Sequence, residues 1–271
     1  MGGKTAYIEG LADAGQRLYD AYSTVMTETN LSGVLDAILG ANRFDYPQTT
    51  ARDLINSIVL GSYPNETTIK ANFINGILLP QSPKTVSVFE LPIGKSRVDM
   101  CKINGHSAAY EIKTDLDTFY RLEGQLKDYF DVFETVYVVT SEARWRELPD
   151  YVPEACGIYS YRQCEGGTYK FCARRRAIKS SELDSEKQLS VMPKQFLCSL
   201  FGKEGRRVSK TSLIRSCLEE HDGREINHLF KRYLQQRYGC YWNRFRELQS
   251  EIYEIDYQWF YRYGLSPQAI Y

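Results

Sequence analysis

The stretch that decides the fold is residues 85–114, which read TVSVFELPIGKSRVDMCKINGHSAAYEIKT. Residues 85–91, 96–103 and 107–114 are rich in β-branched and aromatic side chains, as strands are. Asn104-Gly105, between the last two runs, is a dipeptide typical of hairpin turns. The stretch therefore predicts three consecutive strands, the last two joined as a hairpin.

The residues on either side predict helices around further strands. A helix is expected over 117–133, and the near-continuous apolar run 135–140 predicts a strand buried on both faces. A strand pair is expected at 156–163 and 168–177. The sequence thus predicts an α/β fold with a central mixed sheet flanked by helices. We divide the chain into an N-terminal helical region (1–80), a core (81–180) and a helical C-terminal region (181–271).

Charge is distributed unevenly along the chain. The 271 residues carry 34 basic and 34 acidic side chains. Residues 162–246 hold 19 Lys/Arg and 9 Asp/Glu, whereas residues 1–161 hold 14 and 21. A basic segment beside an acidic one is compatible with a phosphate-binding surface next to a cation site. A solvated basic helical region explains the charges equally well.

Cysteine usage and hydropathy bear on the compartment. The seven cysteines are odd in number and form no C-x-x-C pair, which argues against a disulfide framework or a zinc ribbon. No stretch approaches the roughly 18 apolar residues of a membrane span. The N-terminus lacks the basic-then-apolar layout of a signal peptide. We expect a cytoplasmic protein with no membrane partner.

Acidic side chains occupy matching positions on the three strands. Glu111 and Lys113 are two residues apart, so they share one face of their strand. Asp99 shares a face with Arg97, and Glu90 lies at the end of the first strand. Any one of these is most simply a solvated face or an edge ion pair. Together they are more specific, because three acids and a lysine would gather at one place.

The length of the hairpin turn decides whether the acids meet. A two-residue turn at Asn104-Gly105 puts Asp99 and Glu111 on opposite faces of the sheet. A three-residue turn over 104–106, with Gly105 or His106 left-handed, pairs the two acids directly. A one-residue change in register exchanges the faces of a strand. Acids that act together therefore require the longer turn.

Such a cluster suits phosphodiester hydrolysis. Carboxylates on adjacent strands provide the hard oxygen ligands that Mg²⁺ or Mn²⁺ prefers. A bound divalent ion makes its water a better nucleophile and acts as a Lewis acid. A protonated Lys113 beside the acids would stabilise negative charge that develops on the phosphate.

Several runs of this sequence resemble the sce7726 family of bacterial and phage proteins over about residues 86–180. The runs are Phe89-Glu90-Leu91, Arg97-Val98-Asp99, Tyr110-Glu111-Ile112-Lys113-Thr114-Asp115, Asp117-Thr118 and Arg121-Leu122. That family is assigned to the PD-(D/E)XK nuclease superfamily. The resemblance implies a restriction-endonuclease-like core and a metal-dependent nuclease that hydrolyses DNA, in phage defence or a mobile element.

The resemblance also assigns roles to residues. It implies that Asp99 is the first acid of the superfamily and Glu111-Ile112-Lys113 the second motif, with the Ile112 carbonyl as an extra metal ligand. Val98 stands where a proline usually precedes the first acid. Glu90 fills the third acid position, and Glu66, in the first turn of the preceding helix, is the competing candidate.

A second tier of residues lies on the helix after the third strand. Arg121, Gln125 and Tyr129 are spaced by four and share a helical stripe. Gln125-x-x-x-Tyr129 resembles the motif that follows the catalytic strand in RecB-like nucleases. The resemblance implies that these residues orient the site and contact DNA.

Further candidates concern partners. Contacts to nucleic acid are expected from Arg97 and from Arg174, Arg175 and Arg176. Ten aromatic residues in the last 31 predict core packing, a homodimer or a contact with a partner protein, with base stacking as an alternative. The rival functions are a catalytically inactive module on the same fold that binds nucleic acid or a protein, and a helical interaction protein whose acidic and basic halves pack together.

Overall fold

A six-stranded sheet organises the centre of the computed structural model, which describes residues 2–40, 49–164, 167–180, 183–202 and 208–271. The strands follow one another across the sheet in chain order. They are β1 (Val86–Ile93), β2 (Ser96–Asn104), β3 (His106–Lys113), β4 (Thr135–Ser141), β5 (Gly157–Gln163) and β6 (Tyr169–Arg175).

The sheet is mixed, as predicted. β3 pairs parallel with β4, and β4 parallel with β5, whereas the remaining neighbours are antiparallel. A parallel pair needs a crossover connection, which a helix between β3 and β4 provides. The fold class is therefore α/β with helices flanking a mixed sheet and a helical C-terminal region.

Within the described residues, four α-helices precede the sheet: α1 (Gly2–Ala21), α2 (Glu28–Leu39), α3 (Ala51–Ser62) and α4 (Glu66–Phe73). The first three pack around a small core of their own that includes Leu18, Leu31, Leu35, Ile55 and Val59. α4 instead contributes Ile69 and Phe73 to the main core under the sheet. The division of the chain at residues 80 and 180 stays a prediction.

α4 begins where the sequence predicts. The Asn65 side chain accepts a hydrogen bond from the backbone amide of Thr68, at 2.9 Å, and so caps the helix. A π-helical segment, Ile74–Leu78, continues the helix toward β1. This start places Glu66 in the first turn, facing the strands that carry the other acids.

The crossover helix α5 (Leu122–Phe130) is shorter than the predicted helix 117–133. The Asp117 carboxylate accepts hydrogen bonds from the amide and the hydroxyl of Thr114, both at 2.8 Å, and holds residues 114–117 in a turn. The helix therefore begins at Leu122. Leu122, Leu126 and Tyr129 form its buried face.

Five helices follow β6 in the described part of the chain: α6 (Ser185–Val191), α7 (Lys194–Leu200), α8 (Lys210–Glu220), α9 (Gly223–Leu248) and α10 (Tyr257–Tyr263). α9 packs on β1. There Phe89 meets Trp242 and Phe245, each with ring centroids 6.0 Å away, and Tyr261 at 4.3 Å. Part of the aromatic C-terminus is thus core, as predicted.

No helix within the described residues combines the length and the apolar character that crossing a bilayer would need.

Candidate functional site

The β2–β3 hairpin has the longer of the two predicted turns. Asn104 pairs with His106, so Gly105 alone lies at the tip, with a left-handed φ of 73°. The ladder runs on to the pair Met100 and Tyr110, which puts Asp99 opposite Glu111 at the next position. The two acids therefore lie on the same face of the sheet.

Glu90 lies at the same level on the neighbouring strand β1. Phe89 pairs with Met100 and Leu91 with Val98, so Glu90 faces Asp99 without joining the ladder. Its φ of +55° is the one left-handed backbone angle among the described non-glycine residues. That conformation costs an L-residue about 1–2 kcal/mol, and such strain concentrates at functional sites. Three acids thus stand side by side on three adjacent strands.

The strain at Glu90 gives a prediction about stability. We expect Glu90→Gly to unfold with a free energy about 1 kcal/mol higher than Glu90→Ala, because only glycine adopts this φ without cost. Both variants lose the same carboxylate, so their difference isolates the backbone. Chemical denaturation measures it. A Glu90→Ala variant as stable as the glycine variant would contradict strain at this position.

Glu66 and Glu90 both join Asp99, although the sequence left the choice between them open. Carboxylate oxygens of the three residues lie within 4.8 Å of one another. Glu66 reaches the group from the first turn of α4, and Glu90 and Asp99 from the sheet. The structure brings both glutamates to Asp99, and which of them is the third acid stays a prediction.

Lys70 occupies the centre of this cluster. Its ammonium lies 2.5 Å from Glu66 Oε1, 2.5 Å from Glu90 Oε1 and 2.9 Å from Asp99 Oδ1. The side chain is buried, which on its own would lower the pKa of Lys70. The carboxylates, Asp99 foremost, outweigh burial and raise that pKa, which favours the charged form of the lysine. The cluster therefore binds positive charge.

Lys70 was not among the site residues predicted from the sequence. The available signal was its position four residues after Glu66 on the helix that leads into β1, flanked by buried Ile69 and Ala71. A lysine on the buried face of a helix requires a partner. One partner, Glu66, is on the same helix, but the other two, Glu90 and Asp99, are 20 and 29 residues away in the chain.

Asp99 is the most perturbed acid of the site. Burial, followed by the nearby Glu111 carboxylate, raises its pKa to about 7, against the opposing effect of Lys70. Its Oδ2 accepts a hydrogen bond of 2.6 Å from the backbone amide of Ile112. This contact ties Asp99 to the Glu111-Ile112-Lys113 segment. The role of the Ile112 carbonyl stays a prediction.

Glu111 is held by three side chains that the sequence placed near it. Lys113 Nζ lies 2.7 Å and Gln125 Nε2 2.6 Å from Oε1. The Tyr129 hydroxyl lies 2.9 Å from Oε2 and 2.8 Å from the Arg97 carbonyl, so its proton is shared between two acceptors. Burial raises the pKa of Glu111 despite the neighbouring Lys113 ammonium. The Gln125 and Tyr129 contacts fix the orientation of this carboxylate.

The arginines predicted to contact nucleic acid or to support the site do not all lie near the acids. Arg97 Nε lies 3.0 Å from Glu90 Oε2 at the edge of the cluster, and its side chain is exposed. Arg121 is exposed at the residue before α5.

Arg174 and Arg175 lie on β6, and Arg176 follows that strand, so the structure does not bring these three to the acids. β6 is three strands from β3, or about 14 Å at the usual strand spacing. Arg174 pairs with Glu142, and Arg175 Nε donates to the Cys156 carbonyl at 2.7 Å. Their predicted role in nucleic-acid binding stays a prediction.

A cleft of about 940 Å³ opens over the cluster. Glu66, Glu90 and Arg97 are among the residues that line it, together with residues of α9 and α10. The carboxylates at its edge are thus accessible, although Asp99 and Glu111 beneath them are buried.

Comparison with known families matches residues 61–258 to the family described as bacteriophage P4 protein cII. The cII protein of Enterobacteria phage P4 is 31% identical over 123 residues, which are 45% of this chain and 46% of that protein. Less than half of that relative's length is therefore aligned. The SPO1766 protein of unknown function from Silicibacter pomeroyi matches 51% of this chain and 92% of its own, with 15% identity and a TM-score of 0.33. Since the family match covers well over half of the 271 residues, the chain belongs to the bacteriophage P4 protein cII family.

Proposed function

We propose that this protein is a metal-dependent nuclease that hydrolyses DNA phosphodiester bonds with Mg²⁺ or Mn²⁺. The observation that carries the proposal is the alignment of Glu90, Asp99 and Glu111 at one level of three adjacent strands, with Lys113 on Glu111. Burying several carboxylates together is costly unless a cation compensates them. A fold that keeps this arrangement at the edge of a cleft is suited to cation-dependent chemistry.

The side chains of the cluster fit a divalent ion. Its donors are carboxylate oxygens, the hard ligands that Mg²⁺ takes, and they already surround one cation, the Lys70 ammonium. Asp99 and Glu90 would hold the ion, with Glu66, Glu111 and the Ile112 carbonyl completing the ligand set. When bound, the ion would lower the pKa of a water molecule and polarise the scissile phosphate.

The chain's own residues would then act on the substrate and on the ligands. Lys113 would donate hydrogen bonds to phosphate oxygens and stabilise the negative charge that grows during hydrolysis. Gln125 and Tyr129 would keep Glu111 in position through the contacts that they already make. Arg97, exposed at the cleft, would contact the DNA backbone.

The resemblance to the sce7726 family supports the same proposal, since it assigns Asp99, Glu111 and Lys113 to the PD-(D/E)XK nuclease pattern. Membership of a family named after a bacteriophage protein supports a setting in a phage, a mobile element or defence against phages, in the cytoplasm of a bacterium.

The test is a cleavage assay on single-stranded, duplex and branched DNA in Mg²⁺, Mn²⁺ or EDTA. We expect cleavage that EDTA abolishes and that Lys113→Ala lowers about 10²-fold, since one donor to the developing charge is lost. Lys231→Ala is a matched control: Lys231 is 15% exposed and pairs with buried Glu134 at 3.1 Å, while Lys113 is 12% exposed and pairs with Glu111 at 2.7 Å.

If Lys231→Ala still cleaves DNA, the lower cleavage by Lys113→Ala is due to the position of Lys113 in the site and not to the loss of a buried ion pair. DNA binding by the native protein without cleavage in any metal would overturn the proposal and favour the inactive binding module. Equal cleavage by the Lys113 variant and the native protein would remove the role of that lysine.

A further inference from the structure

One wall of the cleft comes from α9 and α10 and carries mainly aromatic and arginine side chains. Tyr238, Tyr241, Trp259, Tyr261 and Tyr263 line it. Tyr261 serves the core, because its ring covers Phe89 and its hydroxyl donates to the Ser87 carbonyl at 3.0 Å. Tyr241, Trp259 and Tyr263 remain partly exposed to the cleft.

Two arginines stand among these rings. Arg237 and Arg262 are exposed and line the same cleft. The Arg237 guanidinium lies 5.5 Å from the centre of the Tyr241 ring, and that of Arg262 lies 5.5 Å from Tyr263. The described residues of α9 and α10 that line the cleft include no acid. The wall therefore carries positive charge, and the acids Glu66 and Glu90 line the same cleft.

The end of α10 is held in place. Gly264 takes a left-handed φ of 64° and ends the helix, and its amide donates to the Phe260 carbonyl at 2.8 Å. Arg244 of α9 donates to the Gly264 carbonyl at 3.2 Å. Tyr263 packs on Trp259 with ring centroids 4.7 Å apart. The rings are thus presented on fixed helices before any ligand arrives.

We propose that Tyr241, Trp259, Tyr263, Arg237 and Arg262 form a binding surface for single-stranded DNA, the aromatic wall. Bases stack on exposed rings, and arginines contact the phosphates between them. Paired bases in a duplex are already stacked on their neighbours, so they cannot lie flat on these rings. A strand held on the wall lies in the same cleft as Glu66 and Glu90, which, if the nuclease function holds, brings its backbone to the acids for hydrolysis.

Binding in EDTA tests the aromatic wall separately from cleavage. The probes are fluorescein-labelled oligothymidylate of about 12 nucleotides and a blunt duplex of the same length, measured by fluorescence anisotropy with the full chain. Tyr263→Ala is expected to weaken binding of the single strand about 10-fold, because one stacking ring is lost. Binding of the duplex should change less than about 2-fold, since its bases do not reach the ring.

Tyr151→Ala is the matched control. Tyr151 is 50% exposed and packs on Phe119 at 5.1 Å, while Tyr263 is 52% exposed and packs on Trp259. Tyr151 does not line the cleft, so its variant should bind both probes as the native protein does. Arg262→Glu, an exposed change, should also weaken binding of the single strand and reduce its salt dependence.

Unchanged binding of the single strand in both Tyr263→Ala and Arg262→Glu would overturn the proposal, as would no binding by the native protein. The two proposals fail differently. Ring-dependent binding without cleavage in Mg²⁺ would remove the nuclease function and leave the aromatic wall. Metal-dependent cleavage with ring-independent binding would remove the aromatic wall and leave the nuclease.

Discussion

Replacing Asp99 by asparagine is expected to lower metal-dependent cleavage by about 10³-fold or more. Asp99 links the two halves of the site: it lies 2.9 Å from Lys70, accepts from the Ile112 amide at 2.6 Å, and interacts with the neighbouring Glu111 through its charge. Asparagine has the same shape but lacks the charge that a divalent ion requires. Cleavage of labelled DNA in saturating Mg²⁺ measures the effect.

The same variant is expected to be more stable than the native protein in EDTA near pH 8. The pKa of Asp99 is about 7 when folded and near 3.8 otherwise, because burial and Glu111 disfavour its charged form. Its contribution to stability is therefore fully present below the unfolded pKa and is lost as the pH rises through 7. Asparagine stays neutral, so the gain in unfolding free energy should grow from pH 5 to pH 8.

Glu134→Gln is the control for both effects. Glu134 is also buried, but it accepts from the Ser107 amide at 2.7 Å and pairs with Lys179 and Lys231. It lies at the far end of β3, about 13 Å from Glu111 by strand rise. Its variant should keep cleavage and lose stability at neutral pH. A loss of cleavage equal to that of Asp99→Asn would mean that buried charge in general is needed.

Replacing Lys70 by methionine should make the protein's stability depend on a divalent ion. Methionine keeps the length of the side chain but removes the cation that three carboxylates share. In EDTA we expect the free energy of unfolding to fall by about 3–5 kcal/mol, the usual cost of leaving buried charge unpaired. Mg²⁺ or Mn²⁺ should restore much of it, because a ligand that binds only the folded state stabilises that state.

Arg52→Met is the comparison for Lys70→Met. Arg52 is also a buried cation, 3.7 Å from Glu28 and 3.8 Å from Asp256, but it lies in the N-terminal helices. Thermal melts in EDTA and in Mg²⁺ should show lost stability in both variants and recovery only for Lys70→Met. Equal insensitivity of the two variants to Mg²⁺ would show that the acids at Lys70 do not bind the metal.

Local patterns were enough to predict the strands and the partners of Glu111. Spacing by two put Glu111 and Lys113 on one face, and spacing by four put Gln125 and Tyr129 on one stripe, as the structure has them. These spacings involve residues close together in the chain, so they can be read directly from the sequence. The same reasoning placed the start of the crossover helix five residues early, because the hydrogen bonds of Asp117 to Thr114 favour a turn.

Contacts between distant segments could not be predicted in the same way. Both turn lengths suit Asn104-Gly105, and only the assembled sheet selects the one with Gly105 alone at the tip. The position of Lys70 depends on how α4 lies against the strands. Whether an aromatic residue of the C-terminus lies in the core or in the cleft depends on how α9 and α10 pack. The density of aromatic residues along the chain does not indicate which of them are buried.

The turn at Gly105 has a consequence for how this protein can change over time. The tip is exposed, and a side chain there would meet nothing within 4 Å, so only its left-handed backbone restricts which residue it accepts. Its length is restricted far more. A single inserted or deleted residue would turn Glu111 and Lys113 to the opposite side of the sheet while leaving every residue of the motif in the sequence. In this hairpin, substitutions at the tip are therefore expected to be tolerated, whereas insertions and deletions are not. A relative with a turn of different length would keep the residues of the motif but not their position beside the other acids.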